Sequence, residues 1–457
     1  MPLPGTIEIV PLDKPVRAQI TVPGSKSITN RALILAALAD GEVTLTGALW
    51  SEDTQVMTEA LQKLGFQIKV EPDAEEFCNR TITVQGLGGK IPNTGTAEKP
   101  LDLFVGNAGT AARFLAAFVC LGNGVYRLHG VPRMHERPQA ALFKALRELG
   151  YRVESEKGND KLPAIICGRD AASATQYSAA KIRDGGTPSL AKKCRVSIEE
   201  SSQFASALLL CAKVGSWKVE VVGENAEESP YVLMTSQLLK KFAHRGGGFR
   251  IEPDASSASY FSAVGLLDFW TMHSYPIMPE SWRVEVIVRN WPVNSWQIDG
   301  HFPVWFNQLP SARISRKTDL GDSIMTAITL SPFLSSQSTF TDLARLRVQE
   351  TERVVALRTE LTKCGAKVEE KGDTLTVYPS KLHGAEIETY NDHRMAMCFA
   401  ILGLKVPGIK IKNPACVKKT FPNFFQKLAT PPPKGLGATI LDAKTGRKLP
   451  VAELFAE

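Results

Sequence analysis

The sequence predicts a layered α/β protein built from repeated helix–strand units. One observation is a nine-residue pattern that occurs three times, at residues 60–68, 145–153 and 360–368. In each copy, apolar residues at helical spacing lead to a glycine, and a short β-type segment follows. A glycine at this point suits the left-handed conformation that ends many helices, so each copy predicts a helix, a tight cap and a strand.

A second observation is a set of helices rich in Ala, Ser and Leu, each followed by a short alternating strand. These helices are predicted at residues 32–38, 110–118, 204–212, from 257, 323–330 and 394–402. Helices of such small and apolar residues pack closely and belong in a protein interior. Six internal units therefore indicate a layered α/β architecture with three units in each of two domains.

The chain is expected to cross between domains twice, near residue 22 and within the glycine-rich segment 245–253. One predicted domain comprises residues 1–22 with 253–430, and the other comprises 23–252. Residues 431–457 begin with three prolines and are interpreted as a tail. The irregular stretch 270–316 contains five of the seven tryptophans and is assigned only as mixed strand and loop.

Composition excludes several functional classes. The chain has 457 residues and a net charge of +7, but no block of Lys and Arg interleaved with aromatic residues. This favours small anionic substrates over nucleic acid. There is no membrane-length apolar run and no signal-peptide pattern, so we expect a cytoplasmic protein. The eight cysteines form no C-x-x-C pair and are interpreted as buried thiols in a reducing compartment.

The segment 22–31, VPGSKSITNR, is the first of several polar helix starts. A Pro-Gly turn that leads into a helix presents free backbone N–H groups and a partial positive charge. With Lys26, Arg31 and two hydroxyls, it predicts a site for a phosphate or a carboxylate. The ordinary alternative is an N-cap with exposed charges.

Further polar clusters occur at residues 106–113, 132–138, 200–203, 319–323, 345–353, 391–394 and 418–422. Each alone is also explained as a helix cap, a turn or solvated surface charge. Together they predict a cleft between two domains that binds two small anions. Asp322, Glu350, His393 and lysines are then candidates for proton transfer. Neither a Walker A loop nor a metal-ligand pattern stands out.

Seven motifs occur in a recognisable order: PGSKSITNR (23–31), NAGTAAR (107–113), RMHERP (133–138), SSQ (201–203), RVQETER (347–353), NDHRMAM (391–397) and KTFP (419–422). In this combination the chain resembles the 5-enolpyruvylshikimate-3-phosphate synthase family. The resemblance implies transfer of the enolpyruvyl group of phosphoenolpyruvate to the 5-hydroxyl of shikimate 3-phosphate, with release of phosphate. This is a step of the shikimate pathway to chorismate and the aromatic amino acids. The implied fold is that of enolpyruvyl transferases, two domains of three βαβαββ repeats in an inverse α/β barrel-like arrangement.

The resemblance also implies a monomer that needs no cofactor or metal and that is a target of glyphosate at the phosphoenolpyruvate site. Carried over motif by motif, the shikimate 3-phosphate residues are Lys26, Ser27, Arg31, Ser201, Ser202, Gln203, Tyr231, Asp322 and Gln349. The phosphoenolpyruvate residues are Lys26, Asn107, Gly109, Arg137, Gln203, Arg353, Arg394 and Lys419. The implied catalytic residues are Asp322, which accepts the hydroxyl proton, Glu350, which protonates the methylene carbon, and Lys26, which reaches both substrates.

The chain departs from the family pattern at several positions. Gln349 stands where the family commonly has Lys, and Arg345 stands where it commonly has Asn. The Ser-x-x-Tyr element is one residue short at 229–231, and Phe114 replaces a usual Pro. Gln349 can form a hydrogen bond but carries no charge, and the shortened element alters the two contacts that the family pattern implies for Ser229 and Tyr231.

Two other functions fit the sequence less well. An enolpyruvyl transferase acting on UDP-N-acetylglucosamine would need a reactive cysteine on a loop, and no cysteine lies in a matching motif. A nucleic-acid-end-binding protein on a similar repeat fold would need a basic stripe and a nucleotide pocket, which the sequence does not suggest.

Overall fold

The computed structural model describes residues 3–169, 193–223, 229–271, 285–292, 296–309 and 313–457. The chain forms two compact units. Unit 1 comprises Met1–Pro23, Ala74–Cys78 and Glu252–Glu457, and unit 2 comprises Gly24–Asp73 and Asn79–Ile251. Parts of the irregular stretch predicted at 270–316 lie outside the described residues. None of the helices described is both long and apolar enough to cross a membrane.

The strands are short and occur throughout the chain. They are β1 (Thr6–Ile9), β2 (Arg17–Ile20), β3 (Asp40–Leu49), β4 (Ile68–Pro72), β5 (Asn79–Leu87), β6 (Leu101–Phe104), β7 (Val125–His129), β8 (Val153–Ser155), β9 (Ala164–Cys167), β10 (Lys193–Ser197), β11 (Lys218–Val222), β12 (Gly247–Arg250), β13 (Glu285–Val288), β14 (Arg313–Ser315), β15 (Ser338–Thr341), β16 (Val368–Lys371), β17 (Thr374–Val377), β18 (Glu386–Ile387), β19 (Ile409–Lys412) and β20 (Ile440–Asp442).

Helices alternate with these strands. They are α1 (Lys26–Leu38), α2 (Glu52–Lys63), α3 (Gly109–Phe118), α4 (Ala140–Glu148), α5 (Ser202–Gly215), α6 (Ser229–Lys241), α7 (Ala255–Thr271), α8 (Phe302–Asn307), α9 (Ile324–Leu330), α10 (Arg353–Lys363), α11 (His393–Gly403) and α12 (Phe424–Ala429).

Four of the sheets share one design, a parallel pair followed by two antiparallel neighbours. In unit 2 their orders are β12-β3-β5-β4 and β6-β7-β9-β8, and in unit 1 they are β14-β15-β17-β16 and β18-β19-β1-β20. Each unit also has a parallel two-stranded sheet, β10-β11 in unit 2 and β13-β2 in unit 1. The described residues thus form three sheets in each unit, which confirms the predicted α/β class and its internal repeats.

The small-residue helices lie inside the units, as their composition predicts. Every residue of α3 and of α11 is buried, and 11 residues of α1 are buried. A helix that is covered on all sides needs no polar face, which explains why these segments lack the usual polar stripe. Their first residues are the places where polar side chains remain.

The repeated glycine pattern marks three helix ends. Gly65, Gly150 and Gly365 follow α2, α4 and α10 with φ values of +96°, +92° and +91°. In this left-handed region a side chain would be strained, whereas glycine is not. The predicted caps are confirmed at all three positions.

Residues 431–457, interpreted from the sequence as a tail, are part of unit 1. Ile440 of β20 pairs with Ile9 of β1, and the other edge of β1 pairs with β19. Apolar side chains of this segment, including Leu449 and Leu454, lie in the core of unit 1. The prolines ahead of it marked the end of α12 rather than the end of the folded domain.

A five-residue segment, Ala74–Cys78, lies between two parts of unit 2 in the sequence but belongs to unit 1 in the fold. Its Glu76 is 3% exposed and accepts hydrogen bonds from Asn423 Nδ2 (2.7 Å) and Thr21 Oγ1 (2.5 Å). Lys427 Nζ forms an ion pair with the same carboxylate at 2.7 Å. Nothing in the polarity of this short loop indicated that its carboxylate would be buried.

The contribution of the C-terminal strand can be measured with Ile440→Ala. Ile440 is fully buried, so we expect the free energy of unfolding to fall by about 2–4 kcal/mol. Lys444→Ala, in the exposed turn after β20, is the matched control and should leave stability nearly unchanged. Denaturant unfolding followed by circular dichroism would check both, and equal stability of the two variants would contradict the packing role.

Candidate active site

The polar motifs of the sequence lie at the first turns of helices. Lys26, Gly109 and Arg353 are the first residues of α1, α3 and α10, and Ser201 and Asp392 are the N-caps of α5 and α11. The first N–H groups of a helix have no intrahelical acceptor, and the helix dipole favours an anion there. The sequence therefore located these features correctly at the level of local structure.

In unit 2, Arg31 is a buried cation held by neutral oxygens. Its Nε donates to Thr235 Oγ1 (2.8 Å), its Nη2 to Ser206 Oγ (3.0 Å) and its Nη1 to the backbone oxygen of Ser27 (2.9 Å). The guanidinium also lies over the ring of Phe114, 5.2 Å from the centroid. These contacts connect α1, α3, α5 and α6 at one place.

No carboxylate among the described residues forms an ion pair with Arg31. Burial lowers the pKa of Arg31 to about 10, and only a weak opposing influence from Tyr231 raises it. A cation removed from water without a counter-charge is costly, and a bound anion would offset that cost. Among the described residues, the guanidinium of Arg31 is thus satisfied by hydrogen bonds to neutral oxygens and has no opposite charge beside it.

The start of α1 carries a second cation. Lys26 Nζ forms an ion pair with Asp53 Oδ2 at 3.1 Å, and Asp53 is 3% exposed while the Lys26 side chain is 20% exposed. Beside it, Ser25 Oγ is buried with no hydrogen-bond partner among the described residues. Buried polar atoms are normally paired, so the unpaired hydroxyl indicates room for a polar ligand.

A third group in unit 2 is centred on Gln203. Its Oε1 accepts from Arg113 Nη1 (2.5 Å), and its Nε2 donates to Thr110 Oγ1 (3.1 Å). Its backbone N–H donates to Ser201 Oγ at 3.2 Å, and Ser202 beside it is buried. The start of α5 is thus locked onto α3, with the amide of Gln203 fixed in orientation.

Arg137 lies against the start of α3. Its Nη1 donates to the backbone oxygen of Asn107 at 3.2 Å. A Cβ atom placed on Gly109 would be 2.7 Å from Arg137 Nη2, so only glycine leaves the guanidinium where it is. A side chain at position 109 would therefore displace the guanidinium of Arg137, while the backbone there is not left-handed.

In unit 1, Asp322 lies among three arginines. Its carboxylate is 3.3 Å from Arg316 Nη2, 3.1 Å from Arg394 Nη2 and 3.9 Å from Arg353 Nη1. Burial raises the pKa of Asp322, but the arginines lower it by more, and the net pKa lies well below the usual range. Asp322 is therefore ionised, and the three arginines oppose its protonation for as long as they face it.

Glu350 bridges two cations beside Asp322. Its Oε1 is 3.0 Å from Lys419 Nζ, and its Oε2 is 2.9 Å from Arg353 Nη2. The helix α10 begins at Arg353, so Glu350 precedes the helix. Its 2.9 Å ion pair joins it to the first residue of that helix.

Arg353 is the most enclosed of these cations, at 1% exposure. Its Nε and Nη2 donate to the two oxygens of Asp392 at 2.7 and 3.2 Å, and its Nη1 donates to Gln349 Oε1. Asp392 also caps α11 by accepting from the backbone N–H of Arg394 at 2.8 Å. Arg394 Nη2 donates to Ser256 Oγ at 3.0 Å. The contacts of Arg353, Asp392 and Arg394 therefore connect α7, α10 and α11.

Within unit 1 the structure brings together the predicted residues Asp322, Gln349, Glu350, Arg353, Arg394 and Lys419. Within unit 2 it brings together Gln203 with Ser201 and Ser202, Arg137 with Asn107 and Gly109, and Arg31 with Ser27. Tyr231 contributes its backbone oxygen to Thr235 Oγ1 at 2.9 Å. Asp322 is not a helix cap, since Ser323 has that position, and His393 is buried with its Nδ1 3.8 Å from Asp392 Oδ1.

Four further charged residues belong to these clusters and were not assigned from the sequence. They are Asp53, Arg113, Arg316 and Asp392, each of which contacts a predicted residue. Asp392 and Arg113 lie inside quoted motifs, so the motif positions were a usable signal for them. Asp53 and Arg316 come from segments without any motif, and only the fold brings them to the site.

All eight cysteines are buried. Burial raises the pKa of Cys398 and of Cys416 to about 12, so these thiols are protonated at neutral pH. A thiolate nucleophile needs an exposed, electropositive setting. This disfavours the enolpyruvyl transferase that depends on a reactive cysteine.

The comparisons with known proteins agree with this geometry. The sequence family described as EPSP synthase (3-phosphoshikimate 1-carboxyvinyltransferase) matches residues 11–428. The chain belongs to the EPSP synthase family. It is 36% identical to the 3-phosphoshikimate 1-carboxyvinyltransferase of Trichormus variabilis, over 92% of this chain and 98% of that protein. The protein of that name from Opitutus terrae is also 36% identical, over 94% and 98%.

Solved structures share the fold. An EPSP synthase from Acinetobacter baumannii matches with a TM-score of 0.69 and 21% identity, over 95% of this chain and 99% of that one. The enolpyruvyl transferase NikO from Streptomyces tendae matches with a TM-score of 0.64 and 15% identity, over 98% and 100%. Family membership makes the chain an enolpyruvyl transferase of the shikimate pathway, the function that the motifs predicted.

The ion pair of Arg353 and Asp392 gives a stability prediction. Asp392→Asn leaves a buried guanidinium without its main counter-charge, so we expect a loss of about 3–5 kcal/mol in the free energy of unfolding. Glu453→Gln breaks an ion pair to Arg447, whose side chain is 51% exposed, and should leave the free energy of unfolding nearly unchanged. Urea unfolding of both variants would compare them. If Asp392→Asn lost as little stability as Glu453→Gln, the buried ion pair would not be important for stability.

Proposed function

We propose that this chain joins shikimate 3-phosphate and phosphoenolpyruvate by acid–base catalysis at Asp322 and Glu350. The observation that carries the proposal is the ionised Asp322 carboxylate, enclosed by three arginines next to a second carboxylate. Two neighbouring carboxyl groups suit a reaction that needs one base and one acid, provided that one of them takes up a proton when the substrates bind.

The reaction proceeds by addition and elimination. Asp322 accepts the proton of the 5-hydroxyl group while the oxygen of that hydroxyl forms a bond to the central carbon of phosphoenolpyruvate. Glu350 gives a proton to the methylene carbon. The product of this step is a tetrahedral ketal. Glu350, now ionised, takes a proton back from the new methyl group, the C–O bond to phosphate breaks, and the proton held by Asp322 leaves with the phosphate, which restores the double bond. The proposed steps use no cofactor.

Glu350 must be protonated before it can act as an acid. In the structure both of its oxygens contact cations, Lys419 and Arg353, which favour the ionised form. The carboxylate and phosphate of phosphoenolpyruvate would take over these cations on binding. Substrate binding would thus weaken the hold on the ionised form of Glu350 and prepare it to take up a proton.

Substrate contacts are assigned to each unit separately. For shikimate 3-phosphate, the proposed residues of unit 2 are Lys26, Ser27, Arg31, Ser201, Ser202, Gln203 and Tyr231, and those of unit 1 are Asp322 and Gln349. For phosphoenolpyruvate, they are Lys26, Asn107, Gly109, Arg137 and Gln203 in unit 2, and Arg353, Arg394 and Lys419 in unit 1. Support comes from the buried Arg31 cation, whose described hydrogen-bond partners are all neutral oxygens, and from the guanidinium of Arg137 beside the start of α3.

Asp322→Asn and Glu350→Gln test the catalytic roles. We expect phosphate release to require both substrates in the parent protein, and turnover to fall by at least about 100-fold in each variant. Binding of shikimate 3-phosphate, measured by calorimetry, should be largely kept. Full turnover in either variant would remove the role assigned to that residue. The surface variant Glu453→Gln serves as the control for protein handling.

Gly109→Ala tests the phosphoenolpyruvate side. The added methyl group would contact Arg137 Nη2 at 2.7 Å and displace the guanidinium, so we expect a higher KM for phosphoenolpyruvate and an unchanged KM for shikimate 3-phosphate. Glyphosate, proposed as an inhibitor at the same site, should inhibit the parent protein more strongly than the variant.

Gly248→Ala is the matched control, since a Cβ atom at that position meets no atom within 4 Å. Equal KM values for Gly109→Ala and the parent protein would contradict the role of Arg137. Absence of inhibition of the parent protein would contradict the glyphosate proposal.

We further propose a cytoplasmic monomer, for which light scattering should give a mass near 49.9 kDa.

A further inference from the structure

Asp299 lies next to the backbone that carries Asp322, and no motif of the sequence marked it. It is 6% exposed, in a short turn ahead of α8. Its Oδ1 accepts two hydrogen bonds from Ser323, from the backbone N–H at 2.9 Å and from the hydroxyl at 2.5 Å. On the other side of Asp322, a Cβ atom on Gly321 would be 2.9 Å from Asp299 Oδ2. The Asp299 carboxylate thus fits against both neighbours of Asp322.

The hydroxyl of Ser323 does not cap its own helix. Ser323 is the N-cap of α9, a position where a serine oxygen commonly accepts from the N–H groups of its own helix. Here it makes no such capping bond and donates to Asp299 instead. The backbone oxygen of Asp322 accepts from the N–H of Met325 at 3.2 Å, as at an ordinary helix start, and the turn that contains Asp299 adds a second hold on the next residue from outside the helix.

That turn is itself fixed within unit 1. Gln297 Nε2 donates to the backbone oxygen of Pro253 at 2.8 Å, and Gln297 Oε1 accepts from the backbone N–H of Ala255 at 3.0 Å. Trp291 Nε1 donates to the backbone oxygen of Gly300 at 3.1 Å. Because these bonds fix the turn, the carboxylate of Asp299 has a fixed position against Gly321 and Ser323, which contact it.

The charges that face Asp322 give Asp299 a second property. The cations are Arg316, Arg353 and Arg394, and the anions are Glu350 and Asp299. Burial and the charge of Asp322 raise the pKa of Asp299, while its bonds to Ser323 lower it. The net pKa of Asp299 is raised, and the two donors of Ser323 together with the charge of Arg394 oppose that shift.

We propose that Asp299 is a positioning residue for proton acceptance by Asp322, because it fixes Gly321 and Ser323 and thereby aims the carboxylate between them. Asp299 touches neither substrate in this proposal and acts through Asp322 alone. The inference rests on the role proposed for Asp322 above.

Asp299→Ala and Asp299→Asn separate this role from simple stabilisation. The alanine variant frees Ser323, and we expect kcat to fall by about 100-fold, the loss typical of a catalytic group displaced by an ångström. KM for both substrates should stay near the parent values. Asparagine keeps an acceptor oxygen at the same place, so Asp299→Asn should recover most of the lost kcat. An asparagine variant as slow as the alanine variant would overturn the proposal.

A double-mutant cycle with Asp322→Asn tests whether Asp299 acts through the base. When Asp322 is already lost, Asp299→Ala should cause no further loss of kcat. Additive losses would overturn the inference while leaving the proposed base intact. Full activity of Asp322→Asn alone would overturn both, so the two failures are distinguishable.

Thermal unfolding of each variant, with assays well below the midpoint, excludes partial unfolding as the cause. If Asp299→Ala does not fold, Ser323→Ala removes one of the two donors and should lower kcat in the same direction, with KM unchanged. Ser338→Ala is its matched control, a buried serine of unit 1 whose hydroxyl donates to the backbone of Leu309. Equal kcat values for Ser323→Ala and Ser338→Ala would then overturn the proposal.

Discussion

The buried guanidinium of Arg353 is the contact on which the cluster in unit 1 depends. A charge that is removed from water must be matched by charges and hydrogen bonds of good geometry, so its neighbours are fixed once it is buried. Asp392 and Glu350 supply the opposite charge, and Gln349 supplies a neutral acceptor. An ammonium group at position 349 could not accept from Arg353. The departure from the usual family residue is thus compatible with the buried pair.

The two units differ in how their buried charges are balanced. Unit 1 contains its own counter-charges, so the cluster around Asp322 is nearly balanced without any ligand. In unit 2, Arg31 is surrounded by hydroxyl and carbonyl oxygens, and a bound anion would be its first full counter-charge. An anionic substrate therefore gains more from Arg31, whereas in unit 1 it must compete with carboxylates. The second situation suits acid–base chemistry, in which proton positions have to change.

Sequence reasoning succeeded where the determining physics is local. The caps at Gly65, Gly150 and Gly365 follow from helical periodicity and from the left-handed conformation. The motif residues at helix starts follow from the same rules, and the resemblance supplied their roles. It missed Asp53 and Asp299, because an isolated carboxylate carries no periodic signal and becomes significant only through partners distant in the sequence. The packing of Glu76 and of the segment after residue 430 was also hidden, since both depend on non-local contacts.

The pairing of β1 with strands from the other end of the chain has a consequence for biosynthesis. Unit 2 is complete once Ile251 has left the ribosome, so it can fold early, whereas Ile9 pairs with Ile409 and Ile440. At roughly 5–20 residues per second, β1 waits on the order of 20–80 s for these partners. During that time Ile7 and Ile9 are without their final neighbours, and unit 1 is the part of the nascent chain that most needs protection from aggregation.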